Sequence, residues 1–203
     1  MEEANKTMTE PKYRAIMCDP PWGFFNKGTR AAAAKHYSTM SFDDILALPV
    51  NKLTSQDCAL FLWSPNSFVK AAIQVMEAWG FRFVLPLTWV KTTAKIKLTG
   101  DSIGYRLQIG LGNYFRNCSE ALLFGLKGSI KPCDRSIPTV FFAARGKHSA
   151  KPEVAYRLVE RFTPGPYLDM FARTSRQGWD VWGDEVESDI GLANSEWFKR
   201  KQE

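Results

Sequence analysis

Residues 16–25 read IMCDPPWGFF, in which a strand-like run over residues 13–18 ends in a carboxylate, two prolines and a tryptophan. Proline fixes φ and has no backbone N–H, so a rigid turn must follow the run. A strand and a rigid turn alone would be unremarkable in any globular protein. The function of Asp19, Pro20, Pro21 and Trp22 therefore depends on what the rest of the chain brings beside them.

The rest of the chain predicts one α/β domain. Its 203 residues are 45% hydrophobic, which is enough for a single core. Apolar runs alternate with helical periodicities, which favours an α/β sandwich with a mostly parallel central sheet. The predicted strands are residues 13–18, 58–63, 82–90, 120–124, 139–143 and 167–171.

Three helices are expected between these strands. Ser41 caps the first, residues 65–79 form the second, and Ser149 caps the third, with Val154, Leu158 and Phe162 on its buried side. Two stretches, residues 23–39 and 92–117, are expected to be long loops. Residues 1–11 and 188–203 are expected to be tails, which leaves a domain over residues 12–187.

Composition also excludes some classes of protein. No apolar run is long enough to span a membrane and residues 1–12 are too polar for a secretory signal, so we expect a cytoplasmic protein. The four cysteines form no C-x-x-C pair and only two histidines could assist them, so no metal site is expected. The formal charge of +6 favours a polyanionic partner, and basic residues cluster beside predicted strand ends.

Three chemically capable segments are predicted at one edge of the sheet. Ligands of open parallel sheets bind where the strands end at their carboxyl termini. Asp19 follows one such end, Lys91 a second and Arg173 a third. We therefore expect these residues to converge.

The Asp-Pro-Pro-Trp turn has the groups that an adenine 6-amino group would need. The lone pair of that amine is delocalised into the ring, and two acceptors for its N–H bonds would help to localise it. The Asp19 carboxylate and the Pro20 carbonyl are such acceptors, and Trp22 offers a flat face for stacking an extruded base.

Beyond this turn, a series of motifs resembles the DPPW-type (MT-A70-like) adenine methyltransferases, which include the catalytic subunit of the eukaryotic messenger-RNA adenosine methyltransferase and bacterial and phage members. The motifs occur in family order over most of residues 13–186, and the chain resembles a bacterial or phage member. They are HYSTMS (36–41), ALFLW (59–63), EAWGFR (77–82), LTWVKT (87–92), SEALLFGLKG (119–128), SAKPE (149–153), ERFTPG (160–165) and LDMFAR (168–173), followed by WGDE (182–185).

The resemblance implies a circularly permuted Rossmann-like methyltransferase that uses S-adenosyl-L-methionine. By position, Asp19, Pro20, Pro21 and Trp22 resemble the catalytic motif, and Lys151 matches the lysine that pairs with the methionyl carboxylate of the cofactor. The remaining positions implied to contact the cofactor are Asp19, Asp169, Phe171, Arg173, Asp184 and Glu185. Trp22, His36, Tyr37 and Lys91 are expected to contact the substrate. The family commonly has Asn where this chain has Asp184.

The sequence leaves several alternatives open. Phe171 could be an ordinary core aromatic, and Lys151 a surface lysine at a helix start. The chain could modify RNA instead of DNA, could act on the cytosine 4-amino group, or could be a non-catalytic nucleic-acid-binding partner subunit. DNA is favoured because the chain has no added recognition domain, which is an argument by analogy. A homodimer or a heterodimer is compatible with so small a domain.

Overall fold

The computed structural model describes residues 12–23, 40–99, 102–111, 114–146 and 150–192, without the side chains of residues 94–99 and 102–105. Within these residues one mixed sheet contains eight strands. Its order is β4-β3-β5-β2-β1-β7-β8, with β6 paired to β3. The strands are β1 (Tyr13–Cys18), β2 (Thr54–Ser64), β3 (Arg82–Thr99), β4 (Ser102–Leu107), β5 (Ser119–Lys127), β6 (Val140–Ala144), β7 (Tyr167–Met170) and β8 (Trp179–Trp182).

Parallel pairings are slightly more numerous than antiparallel ones in this sheet. The parallel pairs are β1 with β2, β1 with β7, β7 with β8, and β3 with β6. Strand β5 pairs antiparallel with both β2 and β3, and β4 pairs antiparallel with β3. The mixed α/β architecture agrees with the expected Rossmann-like fold.

Helices cover both faces of the sheet. The helices α1 (Phe42–Leu46), α2 (Val50–Leu53) and α3 (Val69–Ala78), with the 3-10 turn Asn66–Phe68 before α3, lie on one side, and α4 (Glu153–Phe162) lies on the other. Ser41 caps α1 as predicted, because its side chain accepts a hydrogen bond from the Asp44 N–H. Ser149, the predicted cap of α4, lies outside the described residues, and Pro152 precedes the helix without a side-chain cap.

Strand β1 shows why two helical layers are needed. Alternate residues of a strand point to opposite faces, and both sets are apolar in β1. Ile16 and Cys18 belong to the core beneath α1–α3, whereas Ala15 and Met17 belong to the core beneath α4. All four are almost completely buried, which makes β1 a central strand.

The predicted loop over residues 92–117 is partly wrong. Strand β3 continues to Thr99 and pairs with β4, so most of the expected loop is a hairpin. Lys91 consequently lies within a strand and does not follow one. Charges and glycines suggested a loop, but the backbone hydrogen bonds of a β-ladder do not depend on side-chain polarity.

The predicted C-terminal tail is also wrong over residues 188–192. The Asp189 side chain accepts a hydrogen bond from the Val181 N–H at 2.8 Å, and Ile190 is buried in the core. This segment therefore packs on β8 as part of the domain. Residues 1–11 and 193–203 lie outside the described residues.

No helix in the described parts of the chain has the length and apolar character that crossing a bilayer would require.

Candidate active site

The sheet topology brings strand ends and one strand start to the same edge. Strands β1, β2 and β7 are parallel, so their carboxyl ends lie together. Because β5 runs antiparallel to β2, its first residues, Ser119 and Glu120, also lie at that edge. Lys151, just before α4, completes the group. This edge is the candidate active site.

Four side chains form a continuous chain of ion pairs at this edge, which we call the acid–lysine chain: Asp19, Lys151, Glu120 and Lys91. Lys151 Nζ lies 3.1 Å from Asp19 Oδ1 and also contacts Glu120 Oε1. Lys91 Nζ lies 2.8 Å from Glu120 Oε2. The Asp19 and Lys91 side chains are 26% and 23% exposed, whereas Lys151 and Glu120 are 10% and 12% exposed, so the two ends of the acid–lysine chain are its more accessible members.

Burial and neighbouring charges shift the pKa values of the acid–lysine chain in different directions. Burial raises the pKa of Asp19, and the charge of Lys151 only partly offsets it. Burial would also raise the pKa of Glu120, but Lys151 and Lys91 together bring it below the ordinary value. Burial opposes charge on Lys151, yet Asp19 and Glu120 raise its pKa overall. Lys151 is therefore an ammonium and Glu120 a carboxylate at neutral pH.

The Asp19–Trp22 turn is anchored by backbone hydrogen bonds. Asp19 N–H donates to the Met170 carbonyl at 3.3 Å, which ties the turn to β7. Trp22 N–H donates to the Pro20 carbonyl at 2.8 Å, and Met40 N–H donates to the Pro21 carbonyl at 3.0 Å. A carbonyl oxygen has two lone pairs, so Pro20 can still accept a second hydrogen bond.

The expectation that Trp22 presents an open stacking face is not met. Trp22 is only 7% exposed and belongs to the core beneath α1–α3. Its Nε1–H donates to the Trp63 carbonyl at 3.0 Å, and its ring lies tilted against Phe68 with centroids 6.1 Å apart. Trp22 thus fastens the turn to the end of β2, since an indole N–H in a core requires an acceptor.

A second group of interacting polar side chains, around Asp169 and Tyr156, lies beside the acid–lysine chain. Tyr156 of α4 donates its hydroxyl to Asp169 Oδ2 at 2.7 Å. Burial, with a contribution from the Asp19 charge, raises the pKa of Asp169 to about 7, although the Tyr156 hydrogen bond acts in the opposite direction. Arg176 stacks on the Tyr156 ring, 3.8 Å from its centroid, and pairs with Glu153.

The loops after β7 and β8 place the remaining predicted cofactor residues. Phe171 has a φ of +63°, a left-handed conformation that is rare for an aromatic residue and is found at functional sites. Its ring lies edge-on to Trp182 with centroids 5.0 Å apart. Arg173 Nε lies 3.7 Å from Glu185 Oε1, and the Arg173 charge also lowers the pKa of Asp19. Asp184 precedes Glu185 in the loop after β8.

Sequence reasoning found most of this edge but missed Glu120. Asp19, Lys91 and Arg173 do converge there, together with Lys151 and Asp169. Glu120 was missed because the prediction relied on residues that follow strands, whereas Glu120 lies in the first two residues of β5. The available signal was a carboxylate directly before the apolar run of β5. His36 and Tyr37 lie outside the described residues.

An apolar cavity of about 290 Å³ lies elsewhere, beneath α4. Its lining includes Phe61, Phe124, Leu158 and Phe162, and none of the acid–lysine chain contributes to it. The candidate active site is therefore a polar edge and separate from this cavity.

Comparison with known proteins agrees with this geometry. A sequence model described as MT-A70 matches residues 13–185, which contain the whole sheet and all four members of the acid–lysine chain. The chain belongs to the MT-A70 family. It is 26% identical over 207 residues to "Type II methyltransferase M.MunI" of Mycoplasma sp, covering 92% of this chain and 83% of that protein.

Other MT-A70 relatives are much longer proteins. The chain is 29% identical over 181 residues to a "Putative N(6)-adenosine-methyltransferase MT-A70-like" of Medicago truncatula, covering 86% of this chain and 26% of the relative. It is 25% identical over 182 residues to "N(6)-adenosine-methyltransferase catalytic subunit METTL3" of Homo sapiens, covering 87% of this chain and 28% of the relative. This MT-A70 chain therefore spans about a quarter of these two relatives.

Proposed function

We propose that this MT-A70 protein transfers a methyl group from S-adenosyl-L-methionine to the 6-amino group of adenine in nucleic acid. The observation that carries the proposal is the Asp19 carboxylate, held 3.1 Å from Lys151 at the open end of β1 with the Pro20 carbonyl beside it. The names of the relatives, an adenosine methyltransferase among them, support the adenine 6-amino group as the acceptor.

The residues at the edge fit the cofactor. S-adenosyl-L-methionine, when bound, supplies an electrophilic methyl group on a sulfonium centre and carries a carboxylate, an ammonium and an adenosine. Lys151 has three N–H donors, of which two are directed to Asp19 and Glu120, so one remains for a carboxylate. The Trp63 ring lies beneath Lys151 Nζ, 4.9 Å from its centroid, and its buried Nε1–H has no acceptor within the described residues.

We assign the adenosine side of the cofactor site to the loops after β7 and β8. Phe171 provides an aromatic edge in a strained backbone, and Arg173 with Glu185 provides polar groups for the ribose and the ring. Asp184 adds a carboxylate that can accept from ribose hydroxyls. Asp169, with its raised pKa, lies close enough to Asp19 for the two charges to interact.

Asp19 and Pro20 act on the acceptor amine in this proposal. Each accepts one N–H of the 6-amino group, which localises the nitrogen lone pair and aims it at the methyl carbon. The charge of Lys151 favours the ionised form of Asp19 and partly offsets the rise in the pKa of Asp19 that burial causes. As the methyl group passed from the sulfonium to the amine nitrogen, the S–C bond would break and its electron pair would stay on sulfur, which would leave as a neutral thioether. The methylated amine would then lose one proton, which the Asp19 carboxylate could receive.

Pro21 and Trp22 position these acceptors. Pro21 makes the turn stiff because its φ is fixed, and its carbonyl is used by Met40. Trp22 holds the turn on the Trp63 carbonyl at the end of β2. The substrate base therefore approaches the turn from the side of Asp19 and not through an open Trp22 face.

DNA is the favoured substrate. One relative, of which this chain covers 83%, is named a Type II methyltransferase, a term used for DNA-modifying enzymes.

The roles of Asp19 are tested with Asp19→Asn, which keeps the shape of the side chain and removes its charge. Methyl transfer to unmethylated DNA is expected to fall by about 10²-fold or more, because one oriented charged acceptor is lost. Cofactor affinity, measured by calorimetry without nucleic acid, is expected to change by less than about tenfold.

Asp43→Asn serves as the matched control, since Asp43 lies exposed on α1. It is expected to leave both readouts unchanged. An Asp19→Asn protein that retains more than about a tenth of wild-type transfer would contradict the assignment, and a wild-type protein that binds no cofactor would contradict the function.

A further inference from the structure

Residues 106–111 and 114–117, which we call the 106–117 segment, expose large apolar side chains to an unusual degree. Leu111 is 87% exposed, Tyr114 94% and Phe115 87%. Leu107 and Ile109 are also exposed. Monomeric proteins rarely expose contiguous apolar groups without an interaction partner, and aromatic rings are the costliest to leave in water.

The segment carries charge of one sign. Arg106 and Arg116 are both exposed, and no Asp or Glu occurs between Ser102 and Cys118. The patch therefore combines aromatic rings with cations that have no acidic neighbour in sequence. This combination suits a partner with flat rings and negative charges.

Backbone hydrogen bonds join the segment to the acid–lysine chain. Gln108 N–H donates to the Lys91 carbonyl at 2.8 Å, and Lys91 N–H donates to the Cys118 carbonyl at 2.8 Å. The two ends of the segment are therefore both held next to Lys91, whose Nζ pairs with Glu120. Gly110 N–H donates to the Asn117 carbonyl at 2.7 Å and closes the base of the segment.

A second copy of this chain fits the patch less well than a polyanion does. In a two-fold dimer the same surface faces itself, so Arg106 and Arg116 of each copy would approach those of the other. Like charges at an interface are unfavourable, whereas phosphates complement both arginines. Charge thus selects nucleic acid as the occupant.

We propose that the 106–117 segment binds the nucleic-acid strand beside the target adenine. Tyr114 and Phe115 stack on the bases next to the target, and Arg106 and Arg116 contact phosphates. A base brought to Asp19 leaves its neighbours without a stacking partner, and an aromatic ring in that place recovers part of the lost stacking. This inference rests on the proposed function and names a surface that the strand uses.

The test measures binding without chemistry. Fluorescence anisotropy of a fluorescein-labelled, unmethylated single-stranded DNA is followed with wild type and with Tyr114→Ala/Phe115→Ala, without methyl donor. The double variant is expected to bind at least about fivefold more weakly, which is the loss of one stacked base. Tyr114→Phe/Phe115→Tyr keeps two rings and is expected to bind within about twofold of wild type.

A salt titration separates the arginines from the rings. Arg116→Gln is expected to reduce the slope of log affinity against log salt by about 0.7, whereas the double alanine variant keeps the wild-type slope. Val140→Ala and Arg157→Gln are the controls, because Val140 is an exposed apolar residue of β6 and Arg157 an exposed arginine of α4. Neither control is expected to change affinity by more than about twofold.

Two outcomes would overturn the inference. One is wild-type affinity in the double alanine variant. The other is a wild-type dimer, seen by sedimentation, that becomes a monomer in that variant, which would make a second copy the occupant. Binding is measured without methyl donor, so it does not depend on catalysis. If the double alanine variant binds DNA more weakly but the wild-type protein methylates no nucleic acid, the proposed function is refuted and the role of the segment is not. Unchanged binding in an active enzyme would refute the segment alone.

Discussion

Glu120 joins two lysines that would otherwise repel each other at a partly buried edge. Glu120→Gln leaves Lys91 and Lys151 with only Asp19 as a carboxylate partner in the acid–lysine chain. We expect the free energy of unfolding at pH 7 to fall by about 2–4 kcal/mol, because one charge of a paired buried group is removed. Urea denaturation measures this loss, and Glu187→Gln, at an exposed position, is the control.

The loss caused by Glu120→Gln depends on pH in a defined direction. The pKa of Glu120 is lower in the folded protein than its ordinary value of 4.5, so the ionised carboxylate stabilises the fold above about that pH. The stabilisation is lost as pH falls through the folded pKa. A difference between wild type and variant that grows below pH 4 would contradict this account.

Asp169 is predicted to behave in the opposite way. Its folded pKa of about 7 lies above the ordinary 3.8, so the folded state holds its proton more tightly and loses stability as pH rises from 3.8 to 7. Asp169→Asn removes this loss and can still accept the Tyr156 hydrogen bond. The variant is expected to be more stable than wild type, with a gain about 1–3 kcal/mol larger at pH 8 than at pH 5.

Guanidinium denaturation of both proteins at the two pH values measures the gain from Asp169→Asn. Asp180→Asn, which also loses a carboxylate that accepts from a tyrosine, Tyr13, is the matched comparison. A gain that does not vary between pH 5 and pH 8 would show that Asp169 is ionised at both.

The two loops at the ends of β7 and β8 approach each other at a single glycine. A Cβ on Gly183 would overlap the carbonyl of Ala172, and Ala172 N–H donates to the Trp182 carbonyl at 3.0 Å. Gly183→Ala is expected to lower the free energy of unfolding by about 2–4 kcal/mol, since backbone must shift to relieve the overlap. Cofactor affinity should fall with it, because Phe171 and Arg173 lie in the displaced loop.

Gly191→Ala is the control for this prediction. No described atom beyond its chain neighbours lies within 4 Å of the place that a Cβ on Gly191 would occupy, so the substitution should be nearly neutral. Thermal unfolding with and without S-adenosyl-L-methionine reads both effects. A Gly183→Ala protein that matches wild type in both would mean that the two loops are not held in contact.

The elements predicted most accurately from the sequence are those whose burial is evident from a run of apolar residues. Strand β1 was predicted with its observed bounds because Ala15–Cys18 are all apolar, and a run of consecutive apolar residues requires burial on both faces. The β3–β4 hairpin was missed because its side chains are mixed in polarity and its pairing is satisfied by backbone alone. Strand β8 was missed because four residues carry too little periodicity.

Some residues of the candidate site could be predicted from the sequence, whereas other contacts could not. Asp19, Lys151 and Arg173 could be found because each lies in a motif or follows a strand. The Glu120 contacts with two lysines could not, since they depend on β5 running antiparallel to β2. The burial of Trp22 likewise depends on the packing of the turn against Trp63, which no local pattern reveals.

The excess positive charge of the whole molecule predicts a salt-sensitive affinity for nucleic acid. With a formal charge of +6 and three to five phosphate contacts, affinity for single-stranded DNA is expected to fall about 20- to 130-fold between 50 and 200 mM salt. Anisotropy titrations at several salt concentrations measure the slope. A flat response would contradict phosphate contacts by these lysines and arginines.

The measurement that tests the account most directly is identification of the methylated nucleoside. The purified protein is incubated with S-adenosyl-L-methionine and matched unmethylated DNA and RNA, single- and double-stranded, and the digested products are analysed by mass spectrometry. The account predicts N6-methyl-2′-deoxyadenosine from DNA, and its absence with Asp19→Asn. Methylated cytosine, or no methylated nucleoside from any of the four substrates, would contradict it.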